Sequence, residues 1–152
     1  MGHLISNLDE QFATLHRRSR NLIETIPLTL SYQRPAHLPR GLSCAEGILR
    51  SAAIVEQTFG GITVNLWDDP FEWTLPETLS TPGKIIEYLE EVEATRIRGF
   101  ALFRDDDDLS KEIMSPAGKT LLVALLEDTL SRAQKHQRNA IATLETVRLE
   151  NP

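Results

Sequence analysis

The 152-residue chain has little of several features that define common classes of protein. It contains one cysteine, Cys44, so it can form neither an internal disulfide nor a thiolate-rich zinc site. No apolar run approaches the roughly 20 residues of a membrane-spanning helix, and the first residues lack the basic flank and apolar core of a secretory signal. Basic residues are scarce: 16 Lys and Arg stand against 22 Asp and Glu, a net charge of −6. This acidity argues against binding to nucleic-acid phosphates.

The motifs of several common enzyme chemistries are missing too. The chain has no glycine-rich phosphate loop, no Gly-x-Ser-x-Gly elbow and no His-Glu-x-x-His. Its composition, 41% hydrophobic and 25% charged, is that of an ordinary globular protein. We therefore expect a single cytoplasmic domain over residues 1–152, with no membrane or nucleic-acid partner.

The sequence does contain four stretches with apolar residues at helical spacing, and little strand alternation lies between them. The first begins at Leu4 and includes Leu22 and Ile26, ending before Pro27. The second opens with Ser43-Cys44-Ala45-Glu46, a capping box in which serine and glutamate satisfy each other's backbone amides. It is expected to kink or end at Gly60-Gly61.

The third and fourth stretches follow in the second half of the chain. The third starts at Thr81-Pro82, a hydroxyl cap with proline in the first turn, and includes Phe100. The fourth is predicted from about Ser115-Pro116 to Arg148, with Leu125 and His136 on its inward line. Between them, Asp105–Asp108 lacks the spaced ligands and glycine of a calcium loop, so we expect a solvated charge run.

These four helices predict an all-α four-helix bundle, because each apolar stripe must be covered by the others. The connection between the second and third helices carries Trp67 and Trp73. At roughly 3.3 Å per residue, its length of about 13 residues can reach ~40 Å. A helix of about 24 residues is ~36 Å long. We therefore expect a long crossover connection that can run the length of the bundle.

Several short motifs resemble the DinB/YfiT-like metalloenzyme family. Residues 42–57 read Leu-Ser-Cys-Ala-Glu-Gly-Ile-Leu-Arg-Ser-Ala-Ala-Ile-Val-Glu-Gln, similar to a family helix that usually reads Trp-Ser-x-x-Glu-x-Leu-x-His. Residues 34–41 resemble its proline-containing lead-in, and residues 116–122 resemble the start of the family's last helix. Residues 132–138 fall where the family has His-x-x-x-His-Arg. The resemblance covers most of the chain in helix order and length, and it implies the DinB-like fold.

Members of this family are commonly homodimers, and they hold a divalent metal with three histidines. By the resemblance, the first ligand position falls on Ser51, with Arg50 as the one-residue alternative, and the other two fall on Arg132 and His136. Only one of them is a histidine. A hydroxyl is a poor replacement for imidazole, and a guanidinium repels a dication. We therefore expect neither a metal site nor a cofactor.

Each candidate position has two interpretations. His136 is either a core histidine bonded to a neighbour or a ligand-binding or acid–base residue in the ancestral pocket. Arg132 either forms an i, i+4 ion pair with Asp128 or clamps an anion where the metal would lie. Ser51 either allows close helix packing or offers a pocket hydroxyl. Cys44 is either simply buried or activated by the nearby helix N-terminus.

Three functions therefore stay open at the level of sequence. The first is binding of a small, anionic ligand in the ancestral cleft, without metal, at Ser51, Arg132 and His136. The second is a metal-dependent, thiol-cofactor S-transferase or isomerase with substituted ligands, drawing on Glu46 or Glu56. The third is a non-catalytic, dimeric interaction protein. The sequence does not decide whether the chain is an enzyme.

Overall fold

The structure, a computed structural model, describes residues 2–69, 79 and 81–152, and they are mostly helical, as the sequence predicts. The elements in chain order are α1 (His3–Thr25), α2 (Leu28–Ser31), α3 (Cys44–Val64), α4 (Pro82–Phe100), a 3₁₀ helix (Asp106–Ser110), β1 (Glu112–Ser115), β2 (Gly118–Leu121) and α5 (Leu122–Glu150). Within the described ranges, no helix is both long enough and apolar enough to cross a membrane.

The four long helices bury their apolar faces in one common core. Three rings lie at its centre, Phe12 of α1, Phe59 of α3 and Phe100 of α4, with ring centroids 5.4 to 5.8 Å apart. Aromatic pairs at such distances contribute about 0.5–1.5 kcal/mol beyond their burial. This cluster therefore joins three of the four helices at a single point.

The helix starts predicted at Ser43 and Thr81 are confirmed. The Ser43 hydroxyl accepts a hydrogen bond from the Glu46 amide at 3.2 Å, and the Ser43 amide donates to the Glu46 carboxylate at 3.1 Å. The Thr81 hydroxyl accepts from the Lys84 amide at 3.2 Å. Both caps satisfy amides that have no partner inside the helix.

The predicted end or kink at Gly60-Gly61 is displaced, because α3 continues to Val64. The helix ends at Asn65, which adopts the left-handed conformation with φ of 55°. The ring of Trp67 then packs so closely over Gly61 that a Cβ on this residue would collide with it. The glycine therefore makes room for the returning chain instead of ending the helix.

The connection from α3 to α4 covers residues 65–81. The predicted long crossover falls largely on residues 70–78 and 80, which lie outside the described residues, as does Trp73.

The prediction that the last helix begins near Ser115-Pro116 is wrong. Those residues close a hairpin between β1 and β2, in which Ser115 is paired with Gly118. The Ser115 hydroxyl accepts from the Ala117 amide at 3.3 Å and donates to the Gly118 carbonyl at 3.1 Å. Gly118 has φ of +106°, which glycine adopts readily. The segment therefore turns, and α5 begins only at Leu122.

The apolar stripe of α1 is displaced by one residue at both ends of the helix. Ile5 and Ile23 are each 1% exposed, whereas Leu4 is 37% exposed and Leu22 is only partly buried. At each end two apolar residues are adjacent in the sequence, so the helical spacing of apolar residues can be drawn through either one. The two side chains point about 100° apart around the helix. Packing against the other helices selects between them.

A seam of small residues joins α3 to α5. A Cβ added to Gly47 would lie 2.9 Å from the Ala140 side chain, so the two backbones approach closely there. Two buried hydrogen bonds continue the contact. The three contacts of this small-residue seam are Gly47 with Ala140, Ser51 with the carbonyl of Ala133 (2.7 Å), and Thr58 with Thr129 (2.7 Å).

The aspartate run at 105–108 is not merely solvated, contrary to expectation. Asp106 accepts hydrogen bonds from the amides of Leu4 at 3.1 Å and Ile5 at 3.0 Å, and so caps the start of α1. Asp108 accepts from Lys111 Nζ and from the Arg104 amide, both at 2.7 Å, and these bonds, the lysine first, lower the pKa of Asp108 to about 2. The run therefore ties the 3₁₀ helix to the first helix.

We predict that Asp106→Ala lowers the free energy of unfolding by about 1 kcal/mol, because two amides of α1 lose their acceptor. Urea denaturation measures the change, and hydrogen exchange at Leu4 and Ile5 should become faster. The matched control is Asp107→Ala, since this neighbouring carboxylate is exposed and makes no hydrogen bond to any described residue. Equal losses in the two variants would contradict the capping role.

Candidate functional site

The inward line of α5 differs from the predicted one at two positions. Leu126 is fully buried where Leu125 was expected, and Gln137 is 4% exposed where His136 was expected. His136 is only partly buried, so it lies at the edge of the helix interface and not in the core. This placement leaves its imidazole accessible from one side.

Ser51 lies inside the small-residue seam. Its hydroxyl is buried and donates to the carbonyl of Ala133 at 2.7 Å. It therefore serves the close packing of α3 on α5, the first of its two interpretations, and its hydroxyl is not free to bind a ligand.

Arg132 lies on the exposed side of α5. Its Nε donates to Asp128 Oδ2 at 2.9 Å, which confirms the i, i+4 ion pair. Both side chains are about half exposed, at 47% and 62%. Surface pairs of this kind contribute about 0–1 kcal/mol, so the guanidinium can exchange its partner at little cost.

The charges around His136 come from both helices. The pKa of His136 lies below its usual 6.5, first because of partial burial and then because of Arg50, Lys135 and Arg132. Arg50, the one-residue alternative to Ser51, therefore acts on the same side as His136. It also pairs with Asp69, with 3.0 Å between Nη1 and Oδ2. His136 is thus a neutral imidazole in a positive field at pH 7.

A groove of about 200 Å³ opens beside His136, where α5 meets the chain before α3. We call it the His136 groove. Leu38 and Leu42 are 53% and 38% exposed there. The Ala36 amide donates to Glu150 Oε1 at 3.0 Å and holds this segment against the end of α5. The residues that line the groove include Pro35, Leu38, Leu42, His136, Asn139 and Thr143.

Cys44 does not carry an activated thiol. Its side chain is buried, and this burial raises the pKa of the thiol to about 12. The thiolate is the nucleophilic form, so the group is inert near neutral pH.

The two glutamates considered as substitute ligands are engaged elsewhere. Glu46 belongs to the cap of α3 and pairs with Arg34 at 3.2 Å. Glu56 accepts a hydrogen bond from the Tyr88 hydroxyl at 2.7 Å. Burial first and Glu56 second raise the pKa of that tyrosine.

The residues present do not fit the metal site that the resemblance implies. In the part of the chain that the structure describes, no three His, Cys, Asp or Glu side chains come together in a group that could hold a metal ion. Ser51 is used in packing, and the guanidinium of Arg132 cannot act as a ligand.

Sequence reasoning missed a buried arginine. Arg96 is 3% exposed and forms ion pairs with Glu93 of its own helix and with Asp9 of α1. A cavity beside it measures about 20 Å³, enough for about one water. The i, i+3 spacing of Glu93 and Arg96 was visible in the sequence. The partner on α1 lies 87 residues away and had no local signal.

Comparisons of the chain with protein-family models, curated proteins and solved structures find no match. We therefore infer function from the residues of the site.

The placement of Arg50 beside His136 leads to a test by restoring histidines. We predict that Arg50→His with Arg132→His, together with native His136, retains stoichiometric zinc or nickel after desalting. Histidines four apart on α5 share a face, and α3 supplies the third. Elemental analysis measures the retained metal, with the unaltered chain as the baseline.

The matched control is Ser51→His with Arg132→His. A histidine at Ser51 would lie in the small-residue seam, so this variant should lose stability and bind no stoichiometric metal. Metal retention by the control and not by the first variant would show that Arg50 is the wrong position.

Proposed function

We propose that this chain is a DinB/YfiT-like four-helix bundle with a long crossover connection, and that it binds a small anion in the His136 groove without a metal. Its ligand would be a carboxylate with a short apolar body. The observation that carries the proposal is the set of three cations, Arg50, Arg132 and Lys135, whose charges act on His136 at the edge of the groove.

The cations support an anionic head group. Arginine binds carboxylates through two parallel hydrogen bonds, which a lysine cannot reproduce. Arg132 and Arg50 are each paired with one surface carboxylate, Asp128 and Asp69. A bound carboxylate would compete with these pairs, which are weak because they are partly exposed.

The groove walls support an apolar body. Leu38 and Leu42 remain substantially exposed, and Asn139 and Thr143 add polar groups on the opposite side. Pockets for drug-sized ligands measure about 300–1,000 Å³. The 200 Å³ here suits a smaller molecule, such as an aromatic or short-chain carboxylate.

His136 would sense the charge of the ligand. A nearby anion stabilises the imidazolium and raises the pKa of His136, which the cations now lower. Linkage then requires the anion to bind more tightly as the pH falls through the pKa of His136. Arginine and lysine charges do not change in that range.

We predict that benzoate binds saturably and raises the pKa of His136, measured by NMR titration of the imidazole protons with and without benzoate. The double variant Arg132→Gln with Lys135→Gln should lower the affinity for benzoate about two- to fivefold, because it removes two partly exposed charges. Benzamide, with the same ring and no charge, should bind more weakly than benzoate.

The control for this titration is Arg138→Gln, an exposed cation on α5 that, unlike Arg132 and Lys135, is not among the charges that lower the pKa of His136. It should leave benzoate affinity unchanged. The proposal fails if benzoate leaves the pKa of His136 where it is, or if the double variant and the control bind alike.

The same family resemblance leads us to propose a homodimer that works in the cytoplasm. Light scattering coupled to size-exclusion chromatography should give about twice the 17.1 kDa of one chain. A measured mass equal to one chain at micromolar protein concentration would contradict the dimer. The proposed ligand site does not depend on the dimer and would be unaffected.

A further inference from the structure

A second groove, of about 230 Å³, lies between α1 and α5 on a different face of α5 from the His136 groove. Polar side chains line it, together with one leucine, Leu15 of α1. Glu10, Gln11, Thr14 and Arg18 come from α1, and Gln134 and Gln137 come from α5. We call it the glutamine groove. It shares no lining residue with the His136 groove.

The amide of Gln137 has a fixed orientation. Its Nε2 donates to the Leu15 carbonyl at 2.8 Å and to the Ser19 hydroxyl at 2.8 Å. A backbone carbonyl can only accept, so the atom facing it must be the nitrogen. The oxygen therefore lies on the other side of the amide.

The Gln137 oxygen has no partner among the residues that the structure describes. Gln137 as a whole is only 4% exposed. Among the described residues, however, every fully buried side-chain oxygen has a hydrogen-bond partner, so the unpaired oxygen of Gln137 is not fully buried. Because Gln137 lines the groove, we infer that its oxygen is reached from there. The oxygen is therefore open to solvent, and a ligand N–H in the groove can donate to it in place of water.

The two ends of the groove carry opposite charges. Arg18 is exposed and forms no ion pair within the described ranges. Glu10 pairs with Arg17 through Oε1 at 2.9 Å, and its second oxygen makes no further bond to a described residue. Residues eight apart lie about 12 Å apart along a helix, with Thr14 between them on the same face.

The geometry points to a binding site for a short zwitterionic peptide of two or three residues. Its carboxylate would lie at Arg18, its ammonium toward Glu10, and a peptide N–H would donate to Gln137. Side-chain amides match peptide groups, since both offer one acceptor and N–H donors. An extended peptide of this length spans about 7–10 Å, and the two charged side chains bridge the rest.

The test is a titration of the full chain with L-alanyl-L-alanine, followed by ¹⁵N–¹H NMR. We expect saturable shifts of the Gln134 and Gln137 side-chain amides. The acetylated peptide lacks the ammonium and the amidated peptide lacks the carboxylate, so each should bind about fivefold more weakly or worse.

Arg18→Gln should weaken binding of the free peptide by about fivefold or more, because the peptide carboxylate loses its charged partner. The fold should be unaffected, because the exposed guanidinium makes no ion pair with a described residue. The matched control Arg138→Gln removes the same charge outside the groove and should stay within about twofold.

Three results would overturn the inference: no saturable shift, equal binding of the blocked peptides, or shifts confined to His136 and Asn139. The last would put the peptide in the other groove. Failure here leaves the benzoate site untouched, because the two grooves have separate lining residues.

Discussion

The close contact between α3 and α5 determines where every candidate side chain lies. Gly47 allows the backbones to approach, and the buried hydroxyls of Ser51 and Thr58 hold them together. Once Ser51 faces α5, Arg50, one residue earlier, must point about 100° away, toward the edge where His136 lies. The cationic edge is thus a consequence of packing. A bulkier residue at Gly47 would separate the helices and change the shape of the His136 groove, which Gly47 itself lines.

Two adjacent residues of α5 serve two different surfaces. His136 borders a groove with apolar walls and a positive field, and Gln137 borders a polar groove with charges at both ends. A single helix can do this because consecutive side chains diverge while sharing one backbone. We therefore propose different ligands for the two grooves: an anion with an apolar body for the first, and a molecule that carries both charges for the second.

Local signals predicted local structure well. The capping box at Ser43 and the proline start at Thr81 involve residues within four positions of one another, and both are confirmed. The hairpin at Ser115 was missed because Pro116 fits a helix start as well as a turn. His136 was assigned to the core because its apolar pattern does not distinguish it from Gln137. Contacts such as Arg96 with Asp9 join distant segments, and no single-sequence pattern encodes them.

The cap that Asp106 provides for α1 links the order of synthesis to the order of folding. The first amides of a helix have no partner inside the helix, and a side chain close by in the sequence commonly accepts from them. Here the amides of Leu4 and Ile5 find their acceptor 102 and 101 residues later in the chain. This side-chain cap of α1 therefore cannot form before Asp106 has been added to the chain. Until the 3₁₀ helix lies beside α1, water must accept from the amides of Leu4 and Ile5.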